Sequence, residues 1–242
     1  MIRFFFSIYV WFYYCILFAI FFVLIFTGYI VTFPFDRYNK ITNRMLSAMA
    51  WCMMRPTPMW KMNIEGLEHF DTTKPTIFIS NHQSFLDIPF AFQLPWKMKW
   101  VVKHSMTFIP VMGWMVKLTG QLTINRSNKT ALKKLSKLVA PIKDLVPVMI
   151  FPEGTRSLNG EIKSFKNGAF LLALEHGFII QPIVIDGAHA ALASGSKLFN
   201  PRASFKMRVL NPIDPKNFDS MAALRDYSRE IIVKAREELK ET

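Results

Sequence analysis

The chain has 242 residues, a formal net charge of +13, 51% hydrophobic and 14% aromatic residues, and two cysteines. That length suits one globular domain with an accessory segment. Cys15 and Cys52 stand in no CxxC pair and at no metal-ligand spacing, which argues against a disulfide framework or a cysteine-bound metal. The basic excess suits an anionic surface, and with no nucleic-acid module signature in the sequence a membrane is favoured over nucleic acid; many of the lysines also fit an ordinary solvated surface.

In chain order, residues 4–35 come first, and from Phe4 to Phe35 there is no Asp, Glu, Lys or Arg. The run exceeds the roughly 20 residues a helix needs to cross the hydrocarbon core. As one helix over 4–33 it must tilt, break near Gly28 or lie partly along the interface. It is too long for a signal-peptide core and no small-residue cleavage site follows, so it is expected to be retained. Residues 37–55 then read as an amphipathic helix ended by Pro56, with Met45, Met49 and Met53 on one stripe beside Arg37, Lys40 and Arg44. It either packs on the domain core or lies in the membrane surface. Basic residues follow the apolar run, so if the run spans, the globular part faces the cytoplasm. Residues 1–57 are thus read as an N-terminal membrane anchor, with the boundary at the two prolines of "RPTPMW".

From Trp60 onward short apolar runs alternate with helical patterns. Strands are predicted at "MNIEGL", "TIFISN", "MKWVVK", "QLTIN", "VPVMIF", "IIQPIVI" and "SFKMRVL". Helices are predicted over 85–94, 105–118, 128–145, 167–176 and 220–240. This alternation implies an α/β domain, a central mixed or largely parallel sheet with helices on both faces, whose ligands gather beyond the strand ends. Pro182 within "IIQPIVI" reads as an edge or bulge proline.

Two stretches carry chemistry. In "SNHQSFLDIPF", His82 and Asp87 are five positions apart. Such a pair arises by chance in about one chain in four of this length, so spacing alone decides nothing. In one reading, Ser84 caps the helix and Asp87 completes a capping box. In the other, Asp87 accepts a hydrogen bond from one imidazole nitrogen and makes the other a better base. In "FPEGTRS", Gly154 permits close backbone approach, Thr155 and Ser157 supply hydroxyls, and Glu153 and Arg156 supply opposite charges, with Arg suited to a phosphate. The plain alternative is a polar turn with a local ion pair. Lys103 and Arg126 flank a helical stretch and either approach an anionic headgroup or line a solvated edge.

The order of these blocks resembles the glycerolipid acyltransferase family, in particular the 1-acyl-sn-glycerol-3-phosphate acyltransferases. "NHQSFLD" is similar to the family's NHxxxxD block, "FPEGTRS" to its acceptor block, the stretch ending "INRSN" to its second block and "IIQPIVI" to its fourth, over roughly residues 62–210. Asn125 departs from the Asp that many relatives carry there, which leaves Arg126 as the transferable position. The resemblance implies an acyltransferase domain over 58–242 that moves a fatty acyl group from acyl-CoA or acyl carrier protein to lysophosphatidic acid at a membrane, with no metal or further cofactor. It implies His82 as base, Asp87 as its orienter, and Glu153, Gly154, Thr155 and Arg156 at the acceptor, with Lys103 and Arg126 as lesser contributors. Backbone N–H groups near Ser84 are expected to face the oxyanion. A membrane-tethered hydrolase is the competing class, although no G-x-S-x-G elbow is present; a non-catalytic lipid-binding protein is a third.

Overall fold

Every residue of the strand Thr76–Ser80 is buried, as an unbroken apolar run bounded by turn residues requires of a strand covered on both faces. It lies near the centre of a seven-stranded sheet in a computed structural model that describes residues 1–124 and 131–241. The strands are β1 (Trp60–Glu65), β2 (Thr76–Ser80), β3 (Lys99–Lys103), β4 (Leu122–Ile124), β5 (Val148–Ile150), β6 (Ile179–Asp186) and β7 (Ala203–Val209). Their order is β1-β7-β6-β2-β5-β3-β4, and every neighbouring pair is parallel except β6 with β7. All seven predicted strands are present, and the sheet is largely parallel with one antiparallel junction.

Alternation along β2 divides the core. Phe78 packs on one face of the sheet with Met149 and Ile183, and Ile77 and Ile79 pack on the other with Val148 and Ile180. The first face is covered by α1 (Ile2–Thr32), α2 (Lys40–Met53), α3 (Asp87–Ala91) and α4 (Met112–Leu118); the second by α5 (Ala131–Lys143) and α6 (Gly168–His176). A short α7 (Ala188–Ala191), which the sequence pattern did not signal, follows β6, and α8 (Met221–Glu241) joins the second face through Leu224, Ile232 and Leu239.

The first helix runs unbroken through Gly28. A Cβ there would come within 2.8 Å of Met45 Cε, so this glycine allows α2 to approach rather than ending α1. One stripe of α1 is docked: Tyr14 is buried and its Oη donates to Met53 O at 2.9 Å, while Ser7 Oγ accepts the N–H of Phe199 at 2.8 Å. The rest, including Phe5, Phe12, Ile20 and Val31, is exposed, on a helix long and apolar enough to cross a membrane. Of the two readings of α2, packing on the domain is realised by Met49, Ala50 and Met53 and by Asn43, whose Nδ2 donates to Met98 O at 3.1 Å.

Two expectations change. The helix predicted over 105–118 is a 3-10 turn, His104–Phe108, then α4, because Pro110 has no N–H to donate and Val111 adopts φ +62°. Pro182 is not on an edge, since β6 lies between β7 and β2. Its missing N–H falls where β7 gives way to a loop: Leu210 donates to Pro182 O at 3.0 Å, and the carbonyl of Leu210, which a regular ladder would pair with residue 182, accepts Gln181 Nε2 instead.

Candidate active site

Three loops meet beyond the carboxyl ends of three adjacent parallel strands. β2 leads to His82, its neighbour β5 leads to Glu153–Arg156, and β3, on the far side of β5, ends at Lys103. Asn81 fixes the exit from β2. Its Nδ2 donates to Ile185 O at 2.7 Å and its Oδ1 accepts the N–H of Ile185 at 2.9 Å, tying the turn to β6.

His82 Nδ1 lies 2.8 Å from Asp87 Oδ2, with the side chains 13% and 1% exposed. A carboxylate facing Nδ1 holds the proton on that nitrogen and leaves Nε2 with the free lone pair. The imidazole lies flat on Phe151, ring centroids 4.0 Å apart and planes 10° from parallel. Asp87 is held in turn by main chain: Oδ2 also accepts the N–H of Gln83 at 2.6 Å and of Ser84 at 2.8 Å. The bond from Ser84 is the reciprocal half of a capping box, so capping and orienting the histidine share one oxygen. Helix α3 starts only at Asp87, later than the predicted 85, and Ser84 Oγ accepts the N–H of Leu86 at 3.2 Å and donates to Leu192 O. Two of the N–H groups near Ser84, those of Gln83 and of Ser84 itself, are therefore engaged by Asp87.

The second motif closes on the first. Gly154 donates to Phe151 O at 3.1 Å with φ +74°, and a Cβ there would meet the Lys166 side chain at 2.9 Å. That space, expected to admit a ligand to the backbone, is crossed by the Lys166 stem. Glu153 is 4% exposed, and both its oxygens accept main-chain donors: Oε1 the N–H of His82 at 2.7 Å, Oε2 the N–H of Lys163 at 3.0 Å. Burial raises the Glu153 carboxyl above its ordinary value, while these two amides work against the shift. Ser157 donates its N–H to His82 O at 2.9 Å, so both backbone groups of the histidine are fastened to "FPEGTRS".

A half-buried, oriented imidazole beside a cationic rim can remove a proton from a hydroxyl whose neighbouring group is anionic. Comparison with known proteins gives this arrangement a lineage. Residues 61–186, more than half of the chain, match the family model described as Acyltransferase.

The chain belongs to the acyltransferase family.

A 1-acyl-sn-glycerol-3-phosphate acyltransferase of Chlamydomonas reinhardtii is 36% identical over 67% of this chain and 49% of its own. The chloroplastic enzyme of that name from Arabidopsis thaliana is 31% identical over 81% of this chain and 56% of its own. A putative member from Caenorhabditis elegans is 30% identical over 88% of this chain and 82% of its own. The chain thus spans about half the length of the first two curated relatives. The fold matches the crystal structure of the 1-acyl-sn-glycerophosphate acyltransferase from Thermotoga maritima, with a TM-score of 0.81 over 99% of this chain and 97% of that one at 24% identity.

Within this family member, the structure brings His82, Asp87, Glu153, Gly154, Thr155, Arg156 and Lys103 to the carboxyl end of the sheet, and Arg126 lies outside the described residues. Thr155, Arg156 and Lys103 are exposed there, and Lys163 Nζ donates to Arg156 O at 3.0 Å. Sequence reasoning passed over Asn81, Phe151, Lys163 and Lys166. Asn81 and Phe151 lie inside the quoted motifs, but the partners that give them a role are 104 positions away and on another loop.

Proposed function

We propose that the protein transfers a fatty acyl group from a coenzyme A or acyl carrier protein thioester to the sn-2 hydroxyl of lysophosphatidic acid, forming phosphatidic acid. The carrying observation is the 2.8 Å contact between His82 Nδ1 and Asp87 Oδ2 in a turn bolted to the acceptor motif. His82 Nε2 takes the hydroxyl proton as the oxygen attacks the thioester carbonyl, and Asp87 stabilises the imidazolium that forms. The tetrahedral intermediate collapses by breaking the C–S bond, and the imidazolium returns the proton to the thiolate. An ester and a free thiol result, with no covalent enzyme intermediate and no metal.

Arg156 pairs with the acceptor phosphate, with Lys103 and Arg126 adding positive potential, and Gly154 and Thr155 shape the turn that presents them. Glu153 serves the acceptor indirectly, by joining that turn to His82. The relatives named above support this reading, as does the bare apolar face of α1, suited to a membrane-resident acceptor. We place the protein at the cell inner membrane with the catalytic end of the sheet facing the cytoplasm, where a water-soluble thioester arrives.

The experiment offers the purified full chain a panel of labelled acceptors with both thioester carriers. Phosphatidic acid from lysophosphatidic acid is expected. Release of free fatty acid without consumption of lysophosphatidic acid would make the protein a hydrolase, and preference for another lysolipid or for glycerol-3-phosphate would reassign the acceptor.

A further inference from the structure

Helix α8 lies outside residues 61–186, which the family model matches, and carries none of the motif residues. Three of its arginines nevertheless run along the loop that leaves the "FPEGTRS" turn. Arg236, 8% exposed, donates from Nη1 to Gly160 O at 2.5 Å and from Nε to Asp186 Oδ1 at 3.1 Å. Arg229 donates from Nη2 to Ile162 O at 2.7 Å and from Nε to Lys163 O at 3.1 Å. Arg225 reaches Asn167 Oδ1 at 2.8 Å. The helix and the loop run in opposite directions, one arginine after another taking up the loop.

The targets set these contacts apart from surface ion pairs, because Arg229 and Arg236 engage main-chain carbonyls. The carbonyl of Ile162 and the N–H of Lys163 belong to one peptide group. A guanidinium on the oxygen of that group polarises the N–H at its other end, and this N–H donates to Glu153 Oε2. Glu153 Oε1 in turn holds the N–H of His82. A second route is shorter: Gly160 O, held by Arg236, also accepts Gln83 Nε2 at 3.2 Å, and Gln83 follows His82 directly. No helix or strand intervenes between Ile150 and Gly168, so the loop lacks secondary-structure hydrogen bonds to fix these carbonyls.

We propose that Arg229 and Arg236 are positioning residues of the acyl-transfer site: they hold loop 160–163 by its carbonyls and so fix, through Glu153 and Gln83, where His82 presents Nε2 to the acceptor hydroxyl. The proposal rests on His82 being the general base.

The primary variant is Arg229→Met in the full chain, since Arg229 is half-buried and its removal leaves the Arg236–Asp186 pair in place. The expected result is a loss of about tenfold to a hundredfold in kcat with KM for the thioester little changed, and partial recovery in Arg229→Lys, which keeps the charge but not the fork. In a Glu153→Gln background, where the relay is already cut, the further loss should shrink to about twofold or less. Equal losses in both backgrounds, an unchanged kcat, or a loss equal to the unfolded fraction at the assay temperature would each overturn the proposal. Amide hydrogen exchange supplies a reading that needs no acceptor. The Lys163 and His82 amides should exchange faster in Arg229→Met while those of α8 do not, and unchanged protection at both refutes the clamp. If exchange responds as expected but the wild-type protein makes no phosphatidic acid, the proposed function has failed and the clamp stands.

Discussion

The carboxylate of Glu153 accepts the backbone N–H of His82 at 2.7 Å, so an acid from one motif holds the histidine of the other by its main chain. The two residues are 71 positions apart in sequence, yet in the fold hydrogen bonds join their motifs into one unit. In the proposed reaction, an acceptor seated on the second is thereby placed against the histidine of the first.

Glu153→Gln tests that linkage. Each Glu153 oxygen accepts a different amide, and a glutamine must turn its NH2 toward one of them, leaving a buried donor facing a donor. A stability loss of about 1–3 kcal/mol in urea denaturation and a clear fall in kcat are expected. A variant with wild-type stability and rate would remove Glu153 from the positioning machinery.

Asp87→Asn separates charge from geometry. Asp87 Oδ2 takes three donors, while Oδ1 has no partner among the described residues. An asparagine can keep its oxygen on the three donors and place NH2 at the orphan position, so the turn should survive. What disappears is the negative charge that, in the proposed mechanism, stabilises the imidazolium, and kcat should fall by roughly two to four orders of magnitude with a near-native melting temperature. Residual activity near wild type would show that Asp87 is only a cap.

Phe151→Leu removes the flat surface under His82 but little volume. The ring stacking at 4.0 Å is lost, and kcat is expected to drop while KM for both substrates moves little, because the exposed Thr155, Arg156 and Lys103 stay in place. Steady-state kinetics on the purified variant decide this; an unaltered kcat means that the bond to Asp87 alone orients the ring.

Arg156→Met should raise KM for lysophosphatidic acid by about tenfold or more, the worth of a charge-assisted hydrogen bond. Acceptors lacking a phosphate should be affected far less. Equal losses for charged and uncharged acceptors would argue that Arg156 shapes the turn instead.

Lys99 provides a pH test away from the chemistry. It is buried, its Nζ donates to Thr119 O at 2.6 Å, and burial lowers its ammonium from 10.5 to about 8. Between those two values the unfolded chain binds more protons than the folded one, so the Lys99 contribution to stability becomes more favourable as pH rises from about 8 towards 10.5. Lys99→Met lacks this dependence. Urea midpoints from pH 7 to pH 10 should therefore show the wild type gaining on Lys99→Met across the window, and a constant gap would contradict the assignment.

The elements most readable in the sequence were those whose signal is local. Seven apolar runs flanked by turn residues became seven strands, and the unbroken apolar stretch became α1, because hydrophobic periodicity and turn chemistry act over a few neighbouring residues. Where the local signal is ambiguous, sequence and structure part. The helical pattern of 105–118 conceals a break at Pro110 and Val111, and Pro182 reads as an edge or bulge proline because nothing nearby announces that Gln181 makes up for its missing donor.

The sequence by itself determined which residue types were available for chemistry: a histidine and an aspartate five apart after a buried strand, and a glycine turn with a glutamate and an arginine after another. Only the tertiary structure decided that β2, β5 and β3 lie side by side, so that these turns meet. It also decided that Glu153 faces two amides rather than solvent, and that arginines of α8 support the loop between them. The physical reason is that strand order and the partner of a buried carboxylate follow from packing and hydrogen-bond satisfaction among residues far apart in the chain.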